Sequence, residues 1–203
     1  MPSNSKAEPM LPGRLYHYYT RTSTNEKLFR DAANYNFFLN TYKRFTLPVC
    51  STAAYCLLPN HFHVVIRIKS EEELEKFYLR KYKQRLTDRI SVYEWVNNVP
   101  NKEFSNMLNS YAQAFNKYHK RRGKLFDQSH KLREISGLRD LKTCIAYVHN
   151  NPSNHGIVPK PEDWTFSSIH FWNDYKQATA DSRAEMLNKA WISMPAVNPM
   201  DVL

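Results

Sequence analysis

The run Tyr55-Cys-Leu-Leu-Pro-Asn-His-Phe-His-Val-Val-Ile-Arg-Ile68 decides the fold. Residues from Val49 to Leu57 read as a strand and Leu58-Pro59-Asn60 as a turn. The residues after Asn60 alternate and are β-branched or aromatic, so they read as a second strand and close a hairpin. Successive strand side chains point to opposite faces. His61 and His63 therefore project from one face, about 7 Å apart along the strand, while Phe62 and Val64 point into a core. Two imidazoles on a rigid strand can hold one metal ion. Two surface or hydrogen-bonded histidines with no ligand fit the same pattern.

Working outward, Leu15–Arg21 reads as a tyrosine-rich strand and Phe29–Arg44 as a helix. Glu71 to about Ile90 reads as one or two charged helices, with glutamates leading and bases following as the helix dipole favours. Val92–Asn101 reads as a short insertion carrying Trp95. Glu103–Tyr118 is expected to be a helix, with Phe104, Met107, Leu108, Tyr111, Ala112 and Phe115 on one stripe. A strand around Lys124–Ile135, a helix over Asp140–His149 and a further helix near Ser182–Trp191 follow. This order predicts an α+β sandwich, an antiparallel ferredoxin-like (RRM-like) sheet with helices on one face. The expected division is a flexible tail at 1–13, one domain at 14–175, and a polar C-terminal tail at 176–203.

The second informative run is Cys144-Ile-Ala-Tyr-Val-His-Asn-Asn-Pro152, the expected end of a helix. Proline disfavours helix at the residue before it, which predicts a stop near Asn150 or Asn151. Tyr147 and Asn151 are four apart and so share a face. A tyrosine hydroxyl and an amide oxygen pointing the same way can serve as nucleophile and third metal ligand. A packing tyrosine and a helix C-terminal asparagine would look the same. His149, two residues past Tyr147, should face elsewhere.

The chain has 203 residues, with 29 Lys plus Arg against 19 Asp plus Glu, for a net charge of +10. A pI near 9.5 favours a polyanionic partner. Lys117, Lys120, Arg121, Arg122 and Lys124 cluster around Tyr118 and His119, bases that can hold phosphate beside rings that can stack on nucleotides. Cys50, Cys56 and Cys144 form no paired motif. They read as small core residues in a reducing cytoplasm. No stretch is apolar enough to span a membrane, and the N-terminus lacks a signal-peptide core. With four glycines and no phosphate-cradling loop, nucleotide-driven chemistry is not indicated.

Taken together, the chain resembles the REP-associated tyrosine transposases, a branch of the single-tyrosine HUH (His-hydrophobic-His) nucleases with an IS200-like transposase domain. The resemblance rests on Tyr16-His-Tyr-Tyr-Thr-Arg21, Leu28-Phe-Arg-Asp31, Tyr35-Asn-Phe-Phe-Leu39 and Ala54 to His63. It continues through Tyr111-Ala-Gln-Ala-Phe-Asn116, Gly123-Lys-Leu-Phe126, Tyr147-Val-His-Asn-Asn-Pro152 and Trp164-Thr-Phe-Ser-Ser168. The chain departs from the family pattern at Thr22 and along Asp127–Arg133.

The resemblance implies the HUH endonuclease fold, with His61 and His63 as metal ligands, Tyr147 as nucleophile and Asn151 completing the metal site. It implies Mg²⁺ or Mn²⁺ as cofactor and single-stranded DNA with REP-like hairpins as partner. Cleavage would leave a 5′-phosphotyrosine and a free 3′-hydroxyl, in a cytoplasmic, nucleoid-associated protein. Relatives of this kind work either as homodimers that exchange the tyrosine helix or with that helix docked in cis. Two other readings compete: a non-cleaving hairpin DNA or RNA binding protein, and a metal phosphodiesterase that uses water as nucleophile.

Overall fold

A computed structural model describes residues 9–22, 26–82, 92–127, 130–192 and 198–202. Most of the expected N-terminal tail, the continuation of the charged helix to Ile90, the Trp95 side chain and Gln128–Ser129 lie outside the described residues.

Four strands form one antiparallel sheet in the order β2-β3-β1-β4. They are β1 (Leu15–Arg21), β2 (Cys50–Leu58), β3 (His61–Ile68) and β4 (Lys131–Glu134). With α1 (Ala32–Thr46), α2 (Glu71–Tyr82) and α3 (Val92–Tyr118), the chain runs β-α-β-β-α-α-β, the ferredoxin-like pattern anticipated from the sequence. Asp31 starts α1 by accepting from the Asn34 amide at 2.8 Å, so the helix begins three residues later than its apolar pattern suggests.

The even-numbered residues of β1, including Tyr16 and Tyr18, join Phe62, Val64 and Ile66 of β3 in a core. Phe38 and Tyr42 of α1 and Phe104, Met107 and Tyr111 of α3 cover it. Each buried aromatic or aliphatic side chain contributes about 1.5–3 kcal/mol. Glu103, fully buried, accepts from Lys81 Nζ at 2.5 Å and from the Tyr82 hydroxyl, which ties α2 to α3. The stretch Val92–Asn101 is the first part of α3 rather than an insertion, and Pro100 sits inside the helix.

Helices also cover the second sheet face, where the sequence anticipated them on one only. The cause is β2 and β3, which bury nearly every residue on both faces. α4 (Gly137–Asn154) and α5 (Ile169–Gln177) supply the second layer. Leu141, Cys144, Ile145, Val148, Trp172 and Tyr175 pack on Ala54, Cys56, Leu58 and Val65. The outer edge of β2 is closed by the segment after a 3₁₀ turn at Pro161–Asp163. Leu57 donates to the Phe166 carbonyl, Ser168 to that of Tyr55, and Trp164 Nε1 to that of Leu57. Edge protection of this kind prevents stray strand pairing. Of the C-terminal region, α6 (Ala180–Lys189) is half exposed. Ile192, and Val202 of α7 (Pro199–Val202), join the second core. No helix among the described residues is long and apolar enough to cross a membrane.

Candidate active site

The site lies on the α4 side of the sheet. In the β1–β3 ladder Tyr19 faces His63 and Arg21 faces His61, and in the β1–β4 ladder Tyr19 faces Lys131. Directly paired residues share a face. All five side chains therefore rise toward α4, as does His17 two residues before Tyr19. The His61 and His63 rings stand 5.1 Å apart at 82°.

The tyrosine helix does not stop at Pro152. It continues to Asn154 and ends in a Schellman motif: Gly156 at φ 64°, its N–H on the Ser153 carbonyl, and the Ile157 N–H on the Pro152 carbonyl. The stop signal in the sequence is Gly156. The extra turn has a consequence for the site, because it brings His155 to 5.1 Å from the His61 ring. Tyr147, Asn151 and His155 follow one another at four-residue spacing at the end of α4, and Tyr147 and His155 lie against the two strand histidines. Tyr147 is 46% exposed and meets His63 edge-on at 5.7 Å and His17 at 5.9 Å.

Asn151 is 1% exposed. Its Nδ2 donates to the Tyr147 carbonyl at 2.8 Å, which fixes the amide. Its Oδ1 is buried and accepts from no donor. An orphaned buried oxygen costs about 1–3 kcal/mol, so such atoms call for a partner. A cation is a suitable one.

Burial keeps the imidazoles neutral. Burial, then His155 and Arg21, lower the His61 pKa to about 4. Burial, then His17, His61 and His155, lower His63 further still. Burial, then Arg133, lower His17 to about 4. His61 Nδ1 lies 2.7 Å from Asn60 Oδ1, an acceptor, so that nitrogen carries the proton and Nε2 keeps its lone pair. His63 Nδ1 is 2.9 Å from His17 Nε2. Two imidazole nitrogens and one amide oxygen fit a divalent cation of the Mn²⁺ or Mg²⁺ kind. Among the described residues no group of three or more His, Cys, Asp and Glu side chains has metal-binding geometry.

A cleft of about 470 Å³ opens in front of these groups, walled by Tyr19, Arg21, His61, His63, Lys131, Tyr147 and His155. Arg21 is also 3.6 Å from Asp127. His149 faces away, as its spacing implied, and pairs with Ser168 Oγ at 2.9 Å. The three cysteines are buried core residues.

The sequence and the fold have known counterparts. No family model matches the chain. A Haemophilus influenzae protein named as a REP-associated tyrosine transposase is 23% identical over 146 residues, 71% of this chain and 68% of that protein. A solved structure of a REP-associated tyrosine transposase bound to a REP hairpin superposes with a TM-score of 0.59 at 14% identity, over 87% of this chain and 88% of the other. The chain resembles the REP-associated tyrosine transposases in sequence and in fold. At this identity the structural match establishes the shared architecture, a four-stranded antiparallel sheet packed by helices.

The basic turn after α3 stands apart from the histidine cleft. Lys117, Lys120, Arg122 and Lys124 are exposed. Arg121 is an internal brace instead. Its guanidinium pairs with Glu26 at 2.7 Å and donates to Asn116 Oδ1 and to the carbonyls of Gly123 and Lys124. Residues that the sequence reading missed are His17, Tyr19, Arg21, Lys131 and His155. Strand alternation points to His17 and Tyr19, and Gly156 points to His155. Lys131 emerges only from the β1–β4 pairing.

Proposed function

We propose that the chain is a metal-dependent single-stranded DNA endonuclease and strand transferase that cuts beside DNA hairpins through a 5′-phosphotyrosine. The observation that carries this reading is the convergence of Tyr147 and two neutral imidazoles at one cleft, with the unpartnered Asn151 oxygen one helical turn beyond Tyr147.

His61, His63 and Asn151 would hold Mg²⁺ or Mn²⁺, which when bound neutralises the phosphate charge and orients it for attack. The Tyr147 hydroxyl, half exposed, attacks phosphorus and gives its proton to solvent. The bond from phosphorus to the 3′ oxygen breaks, and that oxygen takes a proton from water. The phosphotyrosine preserves the energy of the broken linkage. A second 3′-hydroxyl can then attack it, rejoin the strand and return the tyrosine without ATP. Lys131 and Arg21 on the cleft wall offer positive charge to the flanking phosphates. Lys117, Lys120, Arg122 and Lys124 offer it to the hairpin stem. Hairpin DNA as partner is supported by the neighbour of like fold that is bound to one.

The test is a denaturing gel with labelled hairpin oligonucleotides, wild type against Tyr147→Phe, with Mn²⁺ or EDTA. The reading expects a metal-dependent protein–DNA adduct that the Phe variant lacks. Hairpin binding with no adduct in any condition would favour a non-cleaving binding protein, and cleavage retained by Tyr147→Phe would favour water as nucleophile.

A further inference from the structure

From the buried contact between His17 and His63 we infer that His17 is a positioning residue that fixes the tautomer of His63, accepting from its Nδ1–H so that His63 Nε2 is left bare toward the cleft. The inference rests on the proposed metal-dependent reading and adds to it a residue outside the ligand set.

The two rings are 5% and 4% exposed. His17 Nε2 and His63 Nδ1 are 2.9 Å apart, a hydrogen-bond distance at which one nitrogen must donate and the other accept. The His17 ring is clamped by its stacks on Tyr19 at 4.8 Å and on His63 at 5.1 Å, with the Tyr147 edge at 5.9 Å. Packing on these sides leaves it little room to turn.

The donor can be assigned by comparison with His61. Asn60 Oδ1 can only accept, so His61 carries its proton on Nδ1 and turns a bare Nε2 away from that contact. If His63 is to act beside it on the same ion, it needs the same tautomer, and only an acceptor at its Nδ1 provides that. His17 is placed to be that acceptor. With the opposite polarity, His17 would donate to His63 Nδ1, and His63 would present an N–H to the cleft and could not ligate. Partners behind metal-binding histidines commonly set tautomer and ring orientation in this way, and losing one typically weakens metal affinity by about 10–100-fold.

The test uses the full chain and two variants. In His17→Gln, the side-chain oxygen falls near the position of Nε2 and can accept. His17→Phe fills the space and cannot. Nitrogen NMR of the metal-free protein reads the His63 tautomer directly. Wild type and His17→Gln should show Nδ1–H with a bare Nε2, and His17→Phe should revert to the Nε2–H form that imidazoles favour in water. Titration with Mn²⁺ alone should then give similar affinity for wild type and His17→Gln and about 10–100-fold weaker binding for His17→Phe. An Nε2–H tautomer at His63 in the wild type overturns the inference, as does unchanged Mn²⁺ affinity in a folded His17→Phe. A wild type with the stated tautomer that binds no Mn²⁺ overturns the metal reading instead and leaves the tautomer assignment standing.

Discussion

Replacing Asn151 with alanine should separate stability from metal affinity. In the metal-free protein the substitution removes an orphaned buried oxygen, which costs about 1–3 kcal/mol while it lacks a partner. It also removes the bond from Nδ2 to the Tyr147 carbonyl, a gain of about 0.5–1.5 kcal/mol, and a little packing. These terms oppose each other, so the metal-free variant should match wild type to within about 1 kcal/mol, although the residue is 1% exposed. With metal the two should diverge. At a free Mn²⁺ concentration of about 100 times Kd, wild type gains about 2.7 kcal/mol by mass action. If losing this ligand raises Kd at least as much as losing an outer-shell partner does, about 10–100-fold, the gain falls to about 1.4–0.4 kcal/mol or less. For a chain of this size, 1 kcal/mol is about 2–4 °C in Tm. The wild-type shift should therefore be about 5–11 °C and the variant's about 1–6 °C, with each Kd measured separately by titration. A variant that is strongly destabilised without metal yet shows the full Mn²⁺ shift would refute the reasoning, because Asn151 would then be a structural residue and not a ligand.

Three other outcomes are expected. His149 is buried, which together with Lys176 lowers its pKa to about 4. A folded pKa below the unfolded value of about 6.5 means that the unfolded chain binds the extra proton. This contribution is therefore present above about pH 6.5 and is lost as pH falls toward about 4, the loss reaching about 2 kcal/mol at about pH 5. Urea unfolding in EDTA at about pH 7.5 and pH 5 should show a smaller acid loss for His149→Gln than for wild type, and parallel losses would contradict the assignment. Arg121→Ala should cost about 2–4 kcal/mol because it breaks the brace to Glu26, Asn116, Gly123 and Lys124, whereas Arg122→Ala should change stability by less than about 0.5 kcal/mol. Salt-dependent hairpin binding reads the converse: Arg122→Ala should reduce the slope of log K against log salt by about one unit, and an unchanged slope would remove Arg122 from the DNA contact surface.

Much of the fold was legible because its strands are strongly patterned. β1 spans Leu15–Arg21 as read, and the histidine strand runs His61–Ile68 in the expected hairpin. Alternation placed His61 and His63 on one face, and the four-residue spacing placed Tyr147 and Asn151 together. The helix boundaries were harder. Pro152 looked like a stop, but a proline removes one amide bond and kinks a helix without ending it where the neighbours hold the turn. The left-handed Gly156 ends it, and only the extra turn delivers His155. Val92–Asn101 read as an insertion, yet α3 runs through it with Pro100 inside the helix. Contacts between distant segments could not be read at all. The His17–His63 bond joins residues 46 apart, and Arg121 meets Glu26 across 95 residues. For that reason a basic run that reads as five equal cations contains one that is internal.

The measurement that bears most directly on the central claim is mass spectrometry of the protein after incubation with a hairpin oligonucleotide and Mn²⁺. The account expects a peptide carrying a nucleotide 5′-phosphate on Tyr147, absent with EDTA and absent from Tyr147→Phe. Cut DNA with no modified tyrosine, or a nucleotide on a different residue, would contradict it.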